Sequence, residues 1–177
     1  ADITSGYLRF KPDANENGSS YNTFTFTVND GTTDSGSSTM TVNVTAVNDA
    51  PTTNPNSDSV TEGGTVQDTD GQGTVLSNDS DEESNTLSVS GTVTHTASDG
   101  SSVSGGNSDT VGGSSSIEGT YGTLTLDTDG SYSYVATTSS ANALGAGDSG
   151  TDTFTFLVSD GNSTTSSTIQ FTVNGVN

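Results

Sequence analysis

Two stretches of this chain read almost alike. Thr23-Phe24-Thr25-Phe26-Thr27-Val28-Asn29-Asp30-Gly31 returns as Thr153-Phe154-Thr155-Phe156-Leu157-Val158-Ser159-Asp160-Gly161. Each run leads through a Ser/Thr/Gly turn into a second alternating run, Thr39-Met40-Thr41-Val42-Asn43-Val44 in the first case and Thr168-Ile169-Gln170-Phe171-Thr172-Val173 in the other. The first copy continues into Ala46-Val47-Asn48-Asp49-Ala50-Pro51, and the second stops at Val176-Asn177, where the same linker would begin. An internal repeat sets the domain organisation before any fold is assigned. It divides the chain into the last part of one unit, residues 1–49, and one complete unit, residues 50–177. Pro51 and Pro55 keep the connection extended, because the residue before each proline is pushed out of the helical region.

The apolar residues of both copies recur with period two, which is the pattern of a half-buried strand. Residues 1–49 predict three strands, Tyr7 to Phe10, Tyr21 to Asn29 and Thr39 to Thr45. Three strands cannot close a sandwich, so either the rest of that unit lies upstream or another chain supplies it. The second unit predicts strands at 60–66, 73–77 and 86–90, the last extended over 92–96. A Ser/Gly/Asp-rich loop at 97–116 follows, then a hairpin, Tyr121 to Leu126 and Ser131 to Val135, around the turn Asp127-Thr128-Asp129-Gly130. Ser140 to Gly147 reads as a short helical turn before Asp152 opens the repeated strand. Hydrophobic content of 26% is low enough for disorder to be an alternative. The strict alternation argues instead for an all-β protein of thin sandwiches.

Against 22 acidic residues stand 2 basic ones, a formal charge of -20. Nucleic acid and anionic membrane surfaces are therefore poor partners, and cations are the natural counter-charge. With no cysteine there is no disulfide or thiolate metal site, so rigidity has to come from elsewhere. No apolar run reaches membrane-spanning length, and no signal peptide is present. A chain that begins in mid-repeat carries no information about export.

Four blocks, Tyr121-Gly122-Thr123-Leu124-Thr125-Leu126, Asp129-Gly130-Ser131-Tyr132-Ser133-Tyr134, Ala143-Leu144-Gly145-Ala146-Gly147, and Asp152-Thr153-Phe154-Thr155-Phe156 through Ser159-Asp160-Gly161, follow one another in the second unit. On these blocks the unit resembles the VCBS repeat of very large bacterial surface proteins. Residues 1–53 resemble the end of a bacterial cadherin-like repeat, on Ala1-Asp2-Ile3, Gly6-Tyr7-Leu8-Arg9-Phe10, Pro12-Asp13-Ala14-Asn15 and Asn48-Asp49-Ala50-Pro51. The resemblance implies tandem immunoglobulin/cadherin-like β-sandwiches, the first incomplete, serving as secreted extender repeats of an RTX-type adhesin with calcium-stiffened junctions. Ala46 and Ala50 stand where the cadherin linker motif carries Asp and Asn.

Calcium takes about 6 to 8 hard oxygen ligands. Asp79-x-Asp81-x-Glu83-x-Asn85 offers oxygen side chains at every second position, as a loop wrapping a cation would; a solvated acidic turn is the bland alternative. In a seven-strand sandwich with alternating directions, the connections holding Asp79, Asp81 and Asp160 lie at the end where Asn48 and Asp49 arrive. Carboxylates gathered there would repel unless a divalent ion neutralised them. Asp152 and Glu62 resemble the cadherin acids that face the following junction, and Asn22 holds the matching place in the first unit. The expected ligands are thus Asn48, Asp49, Asp79, Asp81, Glu83 and Asp160 at one end and Glu62 and Asp152 at the other.

The remaining polar features read as structure. Asp-Gly at 30–31, 129–130 and 160–161 is ordinary turn chemistry, with Asp160 open to either role. His95, the only imidazole, has no second His or Cys for zinc, and it reads as a plain strand residue rather than part of a Ser-His-Asp triad. Lys11 could form an isopeptide crosslink, though in an incomplete unit. The expected function is a non-catalytic, calcium-stiffened extender at the cell surface, with neighbouring repeats as partners. The alternatives are a carbohydrate-binding module seated on the 97–116 loop, and a filament subunit that self-associates by strand complementation.

Overall fold

The computed structural model describes residues 8–68, 71, 73–97, 109–110 and 116–176. The chain divides into two compact units, Ala1–Asn48 and Asp49–Asn177. Both are β, with no α-helix among the described residues.

In the first unit β1 (Gly18–Phe26) pairs antiparallel with β2 (Ser38–Val44). Residues 8–10 of the expected first strand are not in a sheet, and Tyr7 lies outside the described residues. The connection is tied by its own side chains: Asp30 Oδ1 accepts from the N–H groups of Thr32 and Thr33, both at 2.8 Å. These bonds hold the Asp30 carboxyl below its usual pKa, as an ordinary Asp turn would.

The second unit is a two-sheet sandwich. Its strands are β3 (Asn56–Thr61), β4 (Thr65–Gln67), β5 (Ser88–Ala97), β6 (Asp109–Thr110), β7 (Ser116–Glu118), β8 (Thr123–Leu126), β9 (Tyr132–Val135), β10 (Ser149–Ser159) and β11 (Thr164–Asn174). One sheet runs β3-β11-β10-β5-β6 and the other β4-β9-β8-β7. Period-two burial follows the sequence pattern, most clearly along β10, where Gly150, Asp152, Phe154, Phe156 and Val158 all face inward. The two inner faces meet on aromatic rings: Tyr134 stacks on Phe171 with centroids 4.1 Å apart and planes 4° from parallel, and Phe154 meets both edge-on. Such contacts add about 0.5–1.5 kcal/mol each beyond the area they bury.

Several expectations need correction. Residues 60–66 are not one strand. Gly63, at φ 73°, and Gly64 turn the chain after β3, so that β3 lies parallel to β11 in one sheet while β4 pairs with β9 in the other. A left-handed φ costs glycine little, which is why the crossover falls there. Residues 73–77 form a turn, not a strand. Ser77 N–H donates to Thr74 C=O and Asp79 N–H to Leu76 C=O, while Val75 is fully buried with its N–H on Gly130 C=O. The run was too short for alternation to separate a strand from a buried turn. The stretch read as a loop at 97–116 contains β6 and the start of β7; residues 98–108 and 111–115 lie outside the described residues. Among the described residues, nine strands with one parallel pair thus stand where seven alternating ones were expected.

Close packing sets limits on substitution. A Cβ on Gly150 would run into the ring of Tyr121. Gly150→Ala is therefore expected to destabilise the unit by about 1–3 kcal/mol, the usual cost of overpacking a core, and the denaturant midpoint would register it.

Candidate metal centre

Three pieces of chain come together at one pole of the second unit. The segment after Asp49 runs beside the β10–β11 hairpin, where Thr53 Oγ1 donates to Ser166 C=O at 2.9 Å and Ser167 Oγ to Asn54 C=O at 3.2 Å. It is also laced to the acidic loop. Thr52 and Ser80 form an isolated bridge with both backbone bonds made, at 2.8 and 3.0 Å. Asn54 N–H donates to Asp79 Oδ1 at 2.8 Å, Asn54 Nδ2 donates to Asn78 C=O at 2.7 Å, and Asp49 N–H reaches Glu83 Oε2 at 3.3 Å. The loop closes on itself at Asp81, whose Oδ1 accepts from Asn85 N–H at 2.9 Å, with Ser84 in the left-handed region at φ 60°.

What remains after these bonds bears on a cation. Asp79 Oδ2 and Asp81 Oδ2 are both buried and accept no hydrogen bond. A buried carboxylate oxygen without a partner is costly. Burial raises the Asp79 pKa above its usual value, only partly opposed by the Asn54 N–H. Residues 49–177 contain no Lys or Arg, since Arg9 and Lys11 both precede them. No side-chain ammonium or guanidinium of this unit can answer these oxygens, whereas a hard divalent ion can. Among the described residues, no three His, Cys, Asp or Glu side chains gather as a metal-ligand group. An ion here would therefore take at most two carboxylates and fill its shell from amide and carbonyl oxygens, a mixture calcium accepts.

The other expected ligands are placed as follows. Asn48 falls in the first unit. Asp160 is at the same pole as Asp79 and Asp81 and is buried, but its Oδ1 accepts from Asn162 and Ser163 N–H, each at 2.6 Å, in the β10–β11 turn. Glu62 follows β3 at the opposite pole, with Oε1 accepting from Val176 N–H at 3.4 Å and Oε2 buried without a partner. Asn22 is exposed on β1 and accepts from Thr23 N–H.

Asp152 corrects the expectation that it faces outward to a following junction. It is fully buried and takes five donors. Oδ1 accepts from Thr120 N–H at 2.8 Å and His95 Nε2 at 2.9 Å; Oδ2 accepts from Tyr121 N–H at 2.9 Å, Gly122 N–H at 3.1 Å and Tyr134 Oη at 2.6 Å. A carboxylate offers about four lone-pair sites, so no capacity is left for a metal. Successive N–H groups from the 119–122 turn form a nest around it, and a Cβ on Gly119 would strike the carboxylate. Burial first, and then the bond to Asp152, raises the Tyr134 pKa, which keeps the phenol a donor. His95 is buried beside it, more than a plain strand residue: Nε2 donates to Asp152, and Nδ1 has no partner among the described residues. The signal for this network was parity, because Asp152 shares its face with Phe154 and Phe156, and His95 shares its own with Val89 and Val93.

Comparison with known proteins bears on the fold. No curated protein matches this chain. Two solved structures, the endo-fucoidan hydrolase MfFcnA4 of glycoside hydrolase family 107 and a point variant of it, align with 88% of this chain at 18% identity and a TM-score of 0.37. The chain spans 19% of the length of those structures, and a likeness that slight says nothing of activity. The family described as the bacterial cadherin-like domain matches residues 48–175. That span covers both sheets and the acidic pole, and the chain belongs to the bacterial cadherin-like domain family.

Proposed function

We propose that this chain is a non-catalytic, calcium-stiffened extender from a large extracellular bacterial adhesin or surface filament of the RTX type, built of VCBS and cadherin-like repeats and serving adhesion or biofilm formation. Its partners are neighbouring repeats. The observation that supports this reading is the pair of orphaned, buried oxygens, Asp79 Oδ2 and Asp81 Oδ2, in the loop that holds the start of the unit. Calcium would supply the positive charge that these oxygens lack. Around it, Asp79 and Asp81 are the core ligands, and Asp49, Glu83 and Asp160 lie on the segments that meet there. Glu62, with its own orphaned oxygen, is the candidate ligand at the opposite pole.

Because binding to the folded state alone stabilises it by mass action, an ion would fix the segment 49–54 against the acidic loop. Chelation is expected to speed cleavage by a broad-specificity protease between residues 48 and 54, and calcium to reverse the effect. Cleavage at the same rate in chelator and in calcium would remove the ion from this function.

A further inference from the structure

A cavity of about 260 Å³ opens in the second unit beside the acidic loop, walled by Pro55, Asn56, Ser57, Ser77, Asn78 and Tyr132. The framework holds these walls in place. Asn56 Nδ2 donates to Val75 C=O at 2.9 Å, Asn78 Nδ2 to Pro55 C=O at 3.4 Å, Ser77 Oγ to Thr74 C=O at 2.8 Å and Tyr132 Oη to Asp58 Oδ2 at 2.7 Å. Each amide is thus fixed through its nitrogen, and its Oδ1 is left to accept from a guest. Ser57, exposed on β3, adds a hydroxyl that can both donate and accept.

The walls narrow the choice of guest. No side chain lining this cavity carries a charge, and residues 49–177 hold no Lys or Arg. Phosphates, sulfates and carboxylates therefore find no cation to pair with in a chain of net charge -20. A lipid or alkyl chain fits no better, because only Pro55 and the Tyr132 ring bring apolar side chains to the wall. Tyr132 is buried against Phe171, with ring centroids 5.7 Å apart, so it closes the cavity and offers no stacking face. The volume lies just under the range of about 300–1,000 Å³ usual for sites of drug-sized ligands, which leaves space for a single sugar ring. A second cavity, of about 210 Å³, shares Tyr132 and is lined by Thr125, Ser131, Asp68 and Asp127. Carboxylates there accept from sugar hydroxyls and repel an anionic unit.

We propose that the two cavities are adjoining subsites for a neutral glycan, with one uncharged sugar ring seated against Asn56, Ser57 and Asn78 and its neighbour in the second cavity. Sugar hydroxyls donate to the two amide oxygens, whose positions are set before the guest arrives. Without a stacked aromatic ring the contact is weak for one unit and gains strength where several units are linked. No part of the site calls on the ion proposed at Asp79 and Asp81.

The test applies the full 177-residue chain, in calcium, to an array of neutral, sialylated and sulfated glycans. Binding is expected to neutral glycans and not to the anionic ones. For a glycan so found, Asn78→Ala removes one acceptor yet keeps the Asn78 C=O that Asn54 Nδ2 bonds, and it should weaken affinity by calorimetry roughly three- to tenfold, the worth of one neutral hydrogen bond. Ser57→Trp, which fills the first cavity, should abolish binding; if it also lowers the melting temperature, Asn78→Ala alone decides. An array on which no neutral glycan binds overturns the proposal, as does a preference for anionic glycans or binding that both variants keep in full. A chain that takes up calcium but no neutral glycan loses this site and keeps the extender function, and one that binds glycan but no calcium does the reverse.

Discussion

Replacing Asp152 by alanine is expected to cost the second unit about 3–5 kcal/mol, the usual penalty for removing one member of a buried charged network, and to lower its melting temperature by roughly 10–20 °C. The reason lies in what stays behind. Three backbone N–H groups, the Tyr134 hydroxyl and His95 all point at the carboxylate, and they would lose their common acceptor. Tyr134→Phe removes a single donor and should cost less, about 1.5–3 kcal/mol for a bond to a charged group. Thermal unfolding followed by circular dichroism, in chelator and again in calcium, separates two roles. A structural Asp152 gives the same loss in both; a loss confined to calcium would return it to the metal ligands.

Asp79→Asn should change sign with the ion. Burial raises the pKa of Asp79, and a carboxyl whose folded pKa is raised contributes stability at low pH that is lost as pH climbs through the folded value. At neutral pH without a cation, its charge therefore works against the fold. The asparagine keeps an oxygen for Asn54 N–H and removes that charge, so in chelator the variant should melt at or above the parent. In calcium at a hundred times its dissociation constant, the parent gains about 2.7 kcal/mol by mass action, and the variant should lose most of that gain. A variant that gains as much from calcium as the parent would mean that Asp79 only pins Asn54.

Much of this fold was legible because alternation, once found, fixes which side chains face inward. Phe154, Phe156, Ile169 and Phe171 were core residues by parity, and the hairpin at 121–135 announced itself through Asp-Gly at its turn. Val75 misled, since a fully buried valine in a short run looks alike in a strand and in a turn. The parallel β3 was hidden as well, because residues 60–66 carry one alternating pattern across two sheets and only the Gly63-Gly64 pair marks the break. Asp152 shows a different limit. Its place on the inner face was written in the sequence, but its likeness to the cadherin acids that face the following junction made an outward position the expectation. Only the converging donors reveal what three separate blocks have in common: the turn at 119–122, Tyr134, and Asp152 ahead of Phe154 meet at one carboxylate. At the acidic pole, the spacing of Asp79, Asp81 and Glu83 identified the loop. It did not foretell that Asn54 and Asp49 would bond to it, since those partners lie some thirty residues away.

A calcium titration by calorimetry bears most directly on the acidic pole. The account predicts saturable heat from the chain that Asp81→Ala reduces strongly and Asp127→Ala, in the β8–β9 turn, leaves unchanged. No heat from the parent chain, or equal heat from all three proteins, would contradict it.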